Sequence, residues 1–343
     1  ARLGSGTASS STFLRGDNTW TSAGDTNIRP NSLINGDMRI AQRGTSFTSS
    51  DNNDDVYTLD RWLLLSDGND IVDVTQQSDG GTSSASKYIR LDVETTAKKF
   101  GICQVIGTDN CRDLIGQSAS ISFDAKVTNA SKLSDIRAVV LAWNSTADAV
   151  TSDVVSAWGA EGSNPTFATN WTAENTASNL SVTTSWANYT IENISIDTSS
   201  ATNVAIFIWQ NNVATNDTAG IFLEVSEVKL EVGSTATAFE YRPIAEELSL
   251  CQRYYEKGAM HWRSSSSITW GGNYYAYNTP SFKVTKRATP TIVLSNEYTT
   301  DGYVDYNTDE ITTEEFAISA DSNSGGVSAG WWISADWTSE AEL

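Results

Sequence analysis

The chain has 343 residues and a formal net charge of −20. Its 22 lysines and arginines are scattered among 42 acidic residues, which argues against a basic groove that releases counterions from a nucleic-acid backbone. Charged residues are only 19% of the chain and prolines number five, a composition that suits short strands joined by polar turns rather than long helices. No apolar run is long enough to span a bilayer, so no membrane insertion is expected, and no signal-peptide pattern is seen. Three cysteines cannot all pair within one chain. Cys103, Cys111 and Cys251 read as free, mostly buried thiols.

In chain order, residues 1–30 are rich in Gly and Ser and poor in apolar groups. Alone they should not fold, and Phe13, Leu14 and Trp20 need a partner surface, such as the same segment in sister chains. The segment is read as a stalk and trimerisation element. Residues 31–243 turn to strand patterning. In "ISFDAKV", Ile121, Phe123, Ala125 and Val127 share one face and Ser122, Asp124 and Lys126 the other. "RWLLLS", "KYIRLDV", "IRAVVLAW", "NYTIENISI" and "NVAIFIWQ" are further strands. In "GIFLEVSEVKLEVG" the inward set runs Ile221, Leu223, Val225 and then shifts to Val228, Leu230, Val232. That change of phase predicts a β-bulge near Ser226 and Glu227. The whole predicts a jelly-roll β-sandwich.

"AEELSLCQRYYEKG" breaks the pattern. Pro243 precedes it, Glu246 and Glu247 lie in its first turn, and Lys257 and Gly258 close it, which predicts a connecting helix over 244–258. Ile244, Leu248, Cys251 and Tyr255 form its apolar stripe. So short a helix must lie on a neighbouring sheet or on the equivalent helices of partner chains. Residues 259–343 return to strands, "SSITWGG", "FKVT", "TIVLS", "FAIS" and "GWWISADW", enough for a second, smaller β-sandwich. The fold class is therefore all-β, with one short helix coupling two sandwiches.

"NSLINGDMRIAQRGTSF" followed by "YTLDRWLL" resembles the start of the carbohydrate-module-like jelly roll of bacteriophage tail fibres and receptor-binding proteins. "LEVSEVKLEVGSTATAFEYRPIAEELSLCQRYYEKG" resembles the strand–helix joint of those proteins. "FKVTKRATPTIVL" and "WWISADWTSEAEL" resemble their C-terminal domain, and "GTASSSTFLRGDNTW" the segment that often precedes such modules. The resemblance implies a homotrimeric, non-enzymatic tail fibre component of the virion, assembled in the host cytoplasm beside other tail proteins. It would bind a glycan or an outer-membrane receptor on the bacterial surface through its C-terminal tip. Related jelly-roll carbohydrate modules often hold a structural calcium where first and last strands meet. Asp37 and Glu227 occupy those places here, so they are the metal candidates and calcium the one cofactor considered.

The residues offer little for catalysis. His261 is the only histidine, no G-x-S-x-G elbow occurs, and Cys251 falls in the helix stripe. Paired carboxylates suited to glycoside hydrolysis have no sequence signature of separation. "DYNTDE" spaces Asp305, Asn307 and Asp309 as hard ligands but reads better as a polar turn. Aromatic residues are the stronger lead, because a flat ring stacks on a sugar's apolar face while neighbouring amides and carboxylates bind its hydroxyls. Trp262, Trp270, Tyr275, Tyr277 and Trp331 are the glycan-binding candidates, set against the simpler role of filling cores or trimer contacts. The competing functions are a polysaccharide-degrading tail protein and a purely structural decoration fibre.

Overall fold

The computed structural model describes residues 12–14, 20–22, 30–78, 86–150, 153–263, 274–299, 304–322 and 332–343. Near the N-terminus, β1 (Thr12–Leu14) and β2 (Trp20–Ser22) pair antiparallel, Leu14 opposite Trp20. The strands that follow are β3 (Ser46–Phe47), β4 (Val56–Tyr57), β5 (Leu63–Ser66), β6 (Val72–Ser78), β7 (Lys87–Val93) and β8 (Phe100–Ile106). After a one-turn helix α1 (Thr108–Cys111) come β9 (Ser118–Val127), β10 (Ile136–Trp143), β11 (Val155–Ala157), β12 (Thr166–Phe167), β13 (Trp171–Ala173), β14 (Ala187–Ser195), β15 (Asn203–Gln210) and β16 (Phe222–Val232). Two antiparallel sheets result, ordered β13-β10-β15-β8-β5-β4 and β14-β9-β16-β7-β6-β3. From β7 to β10, and again from β14 to β16, successive long strands alternate between the two sheets. That is how a jelly roll closes two amphipathic sheets over one core.

The expected inward set of β9, Ile121, Phe123, Ala125 and Val127, is buried in that core with Ile136, Ala138, Val140, Ile206 and Ile208 of the facing sheet. The bulge in β16 is present. Its register against β9 shifts between Ser226 and Lys229, and Glu227 has a φ of 50°. The extra residue keeps both apolar runs inward, Leu223 and Val225 before it and Val228 and Leu230 after it.

The first sheet is covered on its outer face as well. Trp143, Phe207 and Trp209 point away from the inter-sheet core and are buried under residues 153–177, including Val154, Trp158, Phe167 and Trp171. Phe207 stacks on Trp209 at 4.9 Å, and Trp143 meets Trp171 at 5.2 Å. Two covered faces explain why "IRAVVLAW" and "NVAIFIWQ" are nearly continuous apolar runs. Lys99 pins the cover. Its ammonium is buried and donates to the carbonyls of Trp158, Ala160 and Ser163 at 2.9–3.0 Å.

Helix α2 spans Ile244–Gln252, shorter than the 244–258 reading. Tyr255 is not part of its stripe, and Lys257 and Gly258 do not cap it: β17 (Tyr255–Arg263) has already begun, pairing with the last strand. Cys251 is buried and Leu248 partly so, whereas Ile244 is exposed. The helix lies on Ile34 and Ile40 of its own chain, with Tyr254 and Leu343 completing the cluster.

The remaining strands are β18 (Tyr274–Asn278), β19 (Thr291–Thr299), β20 (Val304–Asp309), β21 (Ala317–Ser322) and β22 (Trp332–Glu340). They form two three-stranded sheets, β17-β22-β19 and β18-β21-β20, over a core of Met260, Phe282, Phe316, Ile318, Ile333, Ala335 and Trp337. "DYNTDE" lies largely within strand β20 and not in a turn. "FKVT" is not a strand. Its backbone donors go elsewhere, Phe282 N to Glu314 O at 2.8 Å and Lys283 N to the Glu256 carboxylate at 3.2 Å. All three cysteines are free and buried. Burial pushes the Cys103 thiol up and raises Cys111 to about 11, so neither is a ready nucleophile. Among the described residues no helix is long and apolar enough to cross a membrane.

Candidate functional site

The motifs that carry the resemblance meet at the joint between the two sandwiches. In "NSLINGD", Asn35 has a φ of 56° and uses its amide to hold the backbone of Ile40 and Asp60 at 2.9–3.0 Å. Gly36 follows because a Cβ there would lie 2.1 Å from the Val228 carbonyl oxygen. In "YRPIAEE", Arg242 donates to the Leu33 carbonyl at 2.9 Å and pairs with buried Glu247 at 3.2 Å. Glu247 also accepts from the Asn35 backbone N–H. "AQRG" reaches the other unit. Gln42 donates to Tyr255 O at 2.9 Å, and the Arg43 guanidinium lies 3.9 Å from the Tyr255 ring centre. "KRATP" returns the contact. Lys286, buried, donates to Gln252 O at 2.6 Å and Glu256 at 2.7 Å, and Arg287 holds the carbonyls of Ala341 and Glu342 at 2.9 and 2.7 Å. Burial lowers the Lys286 pKa, and Glu256 opposes that.

Most of the polar groups of these residues are engaged with one another across the joint. They set the orientation of the second sandwich. A recognition site must be sought on the faces that this scaffold leaves open.

Of the sequence candidates, Trp262 lies on β17 beside inward-facing Met260, its side chain partly buried against the C-terminal core. It is not the open platform expected. Trp270 and Trp331 lie outside the described residues. Tyr275 and Tyr277 are on β18, opposite Asp321 and Ser319 of β21, and their side chains lie outside what is described.

The metal candidates do not form a cation cage. The bond from Val228 N to Gly36 O, at 2.9 Å, brings their chain segments together. Yet Asp37 is paired with Arg39, and Glu227 accepts from the Tyr241 hydroxyl. Arg39 also donates to Arg242 O at 2.7 Å and lies 5.7 Å from the Tyr241 ring centre. A guanidinium thus supplies the positive charge at the place where a calcium was expected. Calcium needs six to eight oxygens. Among the described residues no group of three or more His, Cys, Asp or Glu side chains is placed to hold a metal.

Two faces stand out among the described residues. The first is the outer side of β17-β22-β19. Trp332 is 43% exposed and Tyr298 54% exposed, large values for aromatic residues in paired strands. Tyr298 meets Trp332 edge-on at 6.1 Å, and His261 lies 6.3 Å away on the other side. His261 and Tyr298 both stand opposite Ser334 of the central strand, and Asn296 donates to Asp336 at 2.7 Å on the same sheet. The grouping of aromatic edges with hydroxyl, amide and carboxylate groups suits a hydroxyl-rich ligand. Alternation in "GWWISADW" could have placed Trp332 outward once Ile333 was assigned to the core, whereas Tyr298 follows a bulge between Ser295 and Tyr298 that the reading did not anticipate.

The second is the outer face of β14-β9-β16-β7. Glu224 is fully buried between its two cross-strand neighbours, Arg90 at 2.6 Å and Lys126 at 2.8 Å. Arg90 covers the Phe222 ring at 4.0 Å, and Lys126 lies 5.0 Å from the Trp186 ring centre. Trp186 meets Tyr88 edge-on at 5.2 Å.

No protein-family model matches the chain, and no curated protein does. Solved structures give partial likenesses. The enzymatically active domain of tailspike protein 4 from bacteriophage CBA120 is 16% identical at a TM-score of 0.35, over 59% of this chain and 21% of that one. A xylan-binding domain of carbohydrate-binding module family 22 is 11% identical at 0.31, over 54% and 95%. The tripod from the baseplate of bacteriophage Tuc2009 is 13% identical at 0.23, over 63% and 60%. The chain thus spans about a fifth of the tailspike structure. Its function has to be argued from its own residues.

Proposed function

We propose that this chain is a non-enzymatic binding module of a phage tail fibre. It attaches to a saccharide on the bacterial surface through the open face of the C-terminal sandwich. The observation that carries this reading is the pair Trp332 and Tyr298, strongly exposed on a sheet whose opposite side is a packed aromatic core. The sequence resemblance supplies the viral context. The joint supports it, because a rigid coupling of the two sandwiches presents the tip at a set angle to whatever carries it.

The active form is a homotrimer. Three weak sites on one axis gain avidity, so no site has to be deep. A net charge of −20 also favours neutral glycans over strongly anionic polymers. The test is to incubate the purified protein with host cells and with extracted surface polysaccharide. Saturable adsorption without new reducing ends, by an assembly of three chains in mass photometry, is the expected result. Release of reducing ends makes it a glycosidase. Failure to adsorb or to compete with virions makes it a structural decoration.

A further inference from the structure

The face around Trp332 has a cationic edge. Along β17 the side chains alternate. Met260 and Trp262 turn to the C-terminal core, and Gly258 belongs to the same side, since a Cβ there would meet the Trp337 ring. Lys257, His261 and Arg263 are exposed on the other side. At the usual strand rise they form a line roughly 20 Å long.

Register sets this line beside the aromatic pair. Arg263 stands opposite Trp332, His261 opposite Ser334 and Lys257 opposite Thr338. Tyr298 faces Ser334 from the far strand. Neighbouring strands lie roughly 4.8 Å apart, so a sugar ring resting on Trp332 and Tyr298 carries its substituents within reach of the Arg263 guanidinium and the His261 ring.

The charges around this edge are distributed unevenly. Elsewhere in the chain most described lysines and arginines are tied to carboxylates, as Arg61, Lys132, Arg137 and Lys286 are. Lys257 and Arg263 have no ion-pair partner among the described residues. The carboxylates of the same sheet are turned to other tasks. Asp336 accepts from Asn296 at 2.7 Å, and Glu340 lies 3.3 Å from the Arg43 guanidinium. Glu297 sits in the β19 bulge, where its charge acts on the Tyr306 phenol. A guanidinium without a counter-charge beside an aromatic platform is completed by a sugar carboxylate. The ring stacks, and the carboxylate accepts two parallel bonds from the arginine.

We infer that the saccharide taken by this face carries a carboxylate, as a uronate does. The inference rests on the proposal that Trp332 and Tyr298 form the recognition face. Arg263 pairs with the carboxylate of the sugar on Trp332, His261 donates to a neighbouring hydroxyl, and Lys257 meets the next acidic residue of the polymer. The net charge of −20 still opposes a polymer charged at every sugar, so the expected ligand alternates acidic with neutral residues.

The probe is host surface polysaccharide, in its native form and after its carboxyl groups are reduced to primary alcohols, titrated by calorimetry into the full chain. Reduction should weaken binding to the unaltered protein about tenfold. The Lys257→Gln, Arg263→Gln protein should bind the native polymer about tenfold more weakly and should not distinguish the two forms. The Trp332→Ala, Tyr298→Ala protein should lose affinity for both forms alike and keep their ratio. That arm reports on the recognition face itself, so the two readings fail separately. Equal affinity of the unaltered protein for both forms overturns the inference. So does a bound host polymer that holds no carboxylate, or a ratio that persists in the Lys257→Gln, Arg263→Gln protein. Undiminished binding by the Trp332→Ala, Tyr298→Ala protein overturns the recognition face, and the inference with it.

Discussion

Glu342 is ion-paired with Arg61 across 281 residues of sequence, and both side chains are almost fully buried. Arg61 belongs to the jelly roll, and Glu342 follows the last strand of the second sandwich. Arg43 joins them at 3.1 Å, and the Arg61 guanidinium lies 3.6 Å from the Tyr254 ring centre. Burial works against the Arg61 cation, but Glu342 together with Tyr254, Tyr57 and Cys251 outweighs it and the pKa is raised. Replacing Glu342 by Gln leaves that cation buried without its counter-charge. The expected cost is about 3–5 kcal/mol in urea denaturation, with a loosened second sandwich in hydrogen exchange. A cost below about 1 kcal/mol would show that the two units are not coupled through this pair.

Lys99 tests the cover over the first sheet. Replacing it by Met leaves the carbonyls of Trp158, Ala160 and Ser163 without their shared donor. The expected loss is about 2–4 kcal/mol, with new proteolytic cuts near residues 158–163 and a red-shifted tryptophan emission. Unchanged proteolysis would mean that the cover is held by Trp158 and its apolar neighbours alone.

Asp55 makes stability depend on pH in a stated direction. Burial first, then the neighbouring carboxylates of Asp54 and Asp153, raise its pKa from 3.8 to about 6. A raised carboxyl pKa means that the fold prefers the protonated form. The group's stabilising share is therefore full below about 4 and is lost as pH rises through about 6. Asp148 runs the other way. Burial alone would raise it, but hydrogen bonds from Thr108 and Asn203 outweigh that and lower its pKa. Its stabilising share is present above the ordinary carboxylate range and is lost as pH falls through the lowered value. Asp55→Asn should raise stability at pH 7.5 by about 1 kcal/mol, allowing for solvent screening, and change little at pH 4.5. Equal effects at both pH values would contradict the assignment.

Gly36 is the position where backbone crowding is most direct. Gly36→Ala forces a Cβ to 2.1 Å from the Val228 carbonyl oxygen, and neither backbone can yield cheaply. We expect about 3 kcal/mol or more of destabilisation in thermal melting. A neutral melt would show that the segment around Gly36 and β16 can separate at no cost.

Much of the fold was legible because alternation is a strong signal where one face is buried. The inward set of β9 and the bulge at Ser226 and Glu227 follow from it directly. The helix end was misread because Lys257 and Gly258 satisfy the pattern of a capped terminus. Pairing of Tyr255 with Glu340 won instead, and Gly258 is glycine because the Trp337 ring lies where a Cβ would stand. The cover over the first sheet was not legible in sequence. What buries Trp143 and Trp209 is a segment, residues 153–177, with no strong period of its own. The surroundings of the calcium candidates were not legible for a similar reason. Only three-dimensional proximity shows that Arg39 stands beside Asp37 and next to the Tyr241 ring. Trp331 is the candidate that the sequence offers, whereas Trp332 is exposed because the adjacent Ile333 is buried in the core.

The most direct test of the central claim is the affinity of the Trp332→Ala, Tyr298→Ala protein for host surface polysaccharide, measured beside the unaltered protein. Both side chains are exposed, so melting temperature and assembly should not change. The account predicts at least a thirtyfold loss of affinity, on the order of 2 kcal/mol for removing the aromatic anchors of a recognition face. Undiminished binding by a correctly assembled double variant would contradict it.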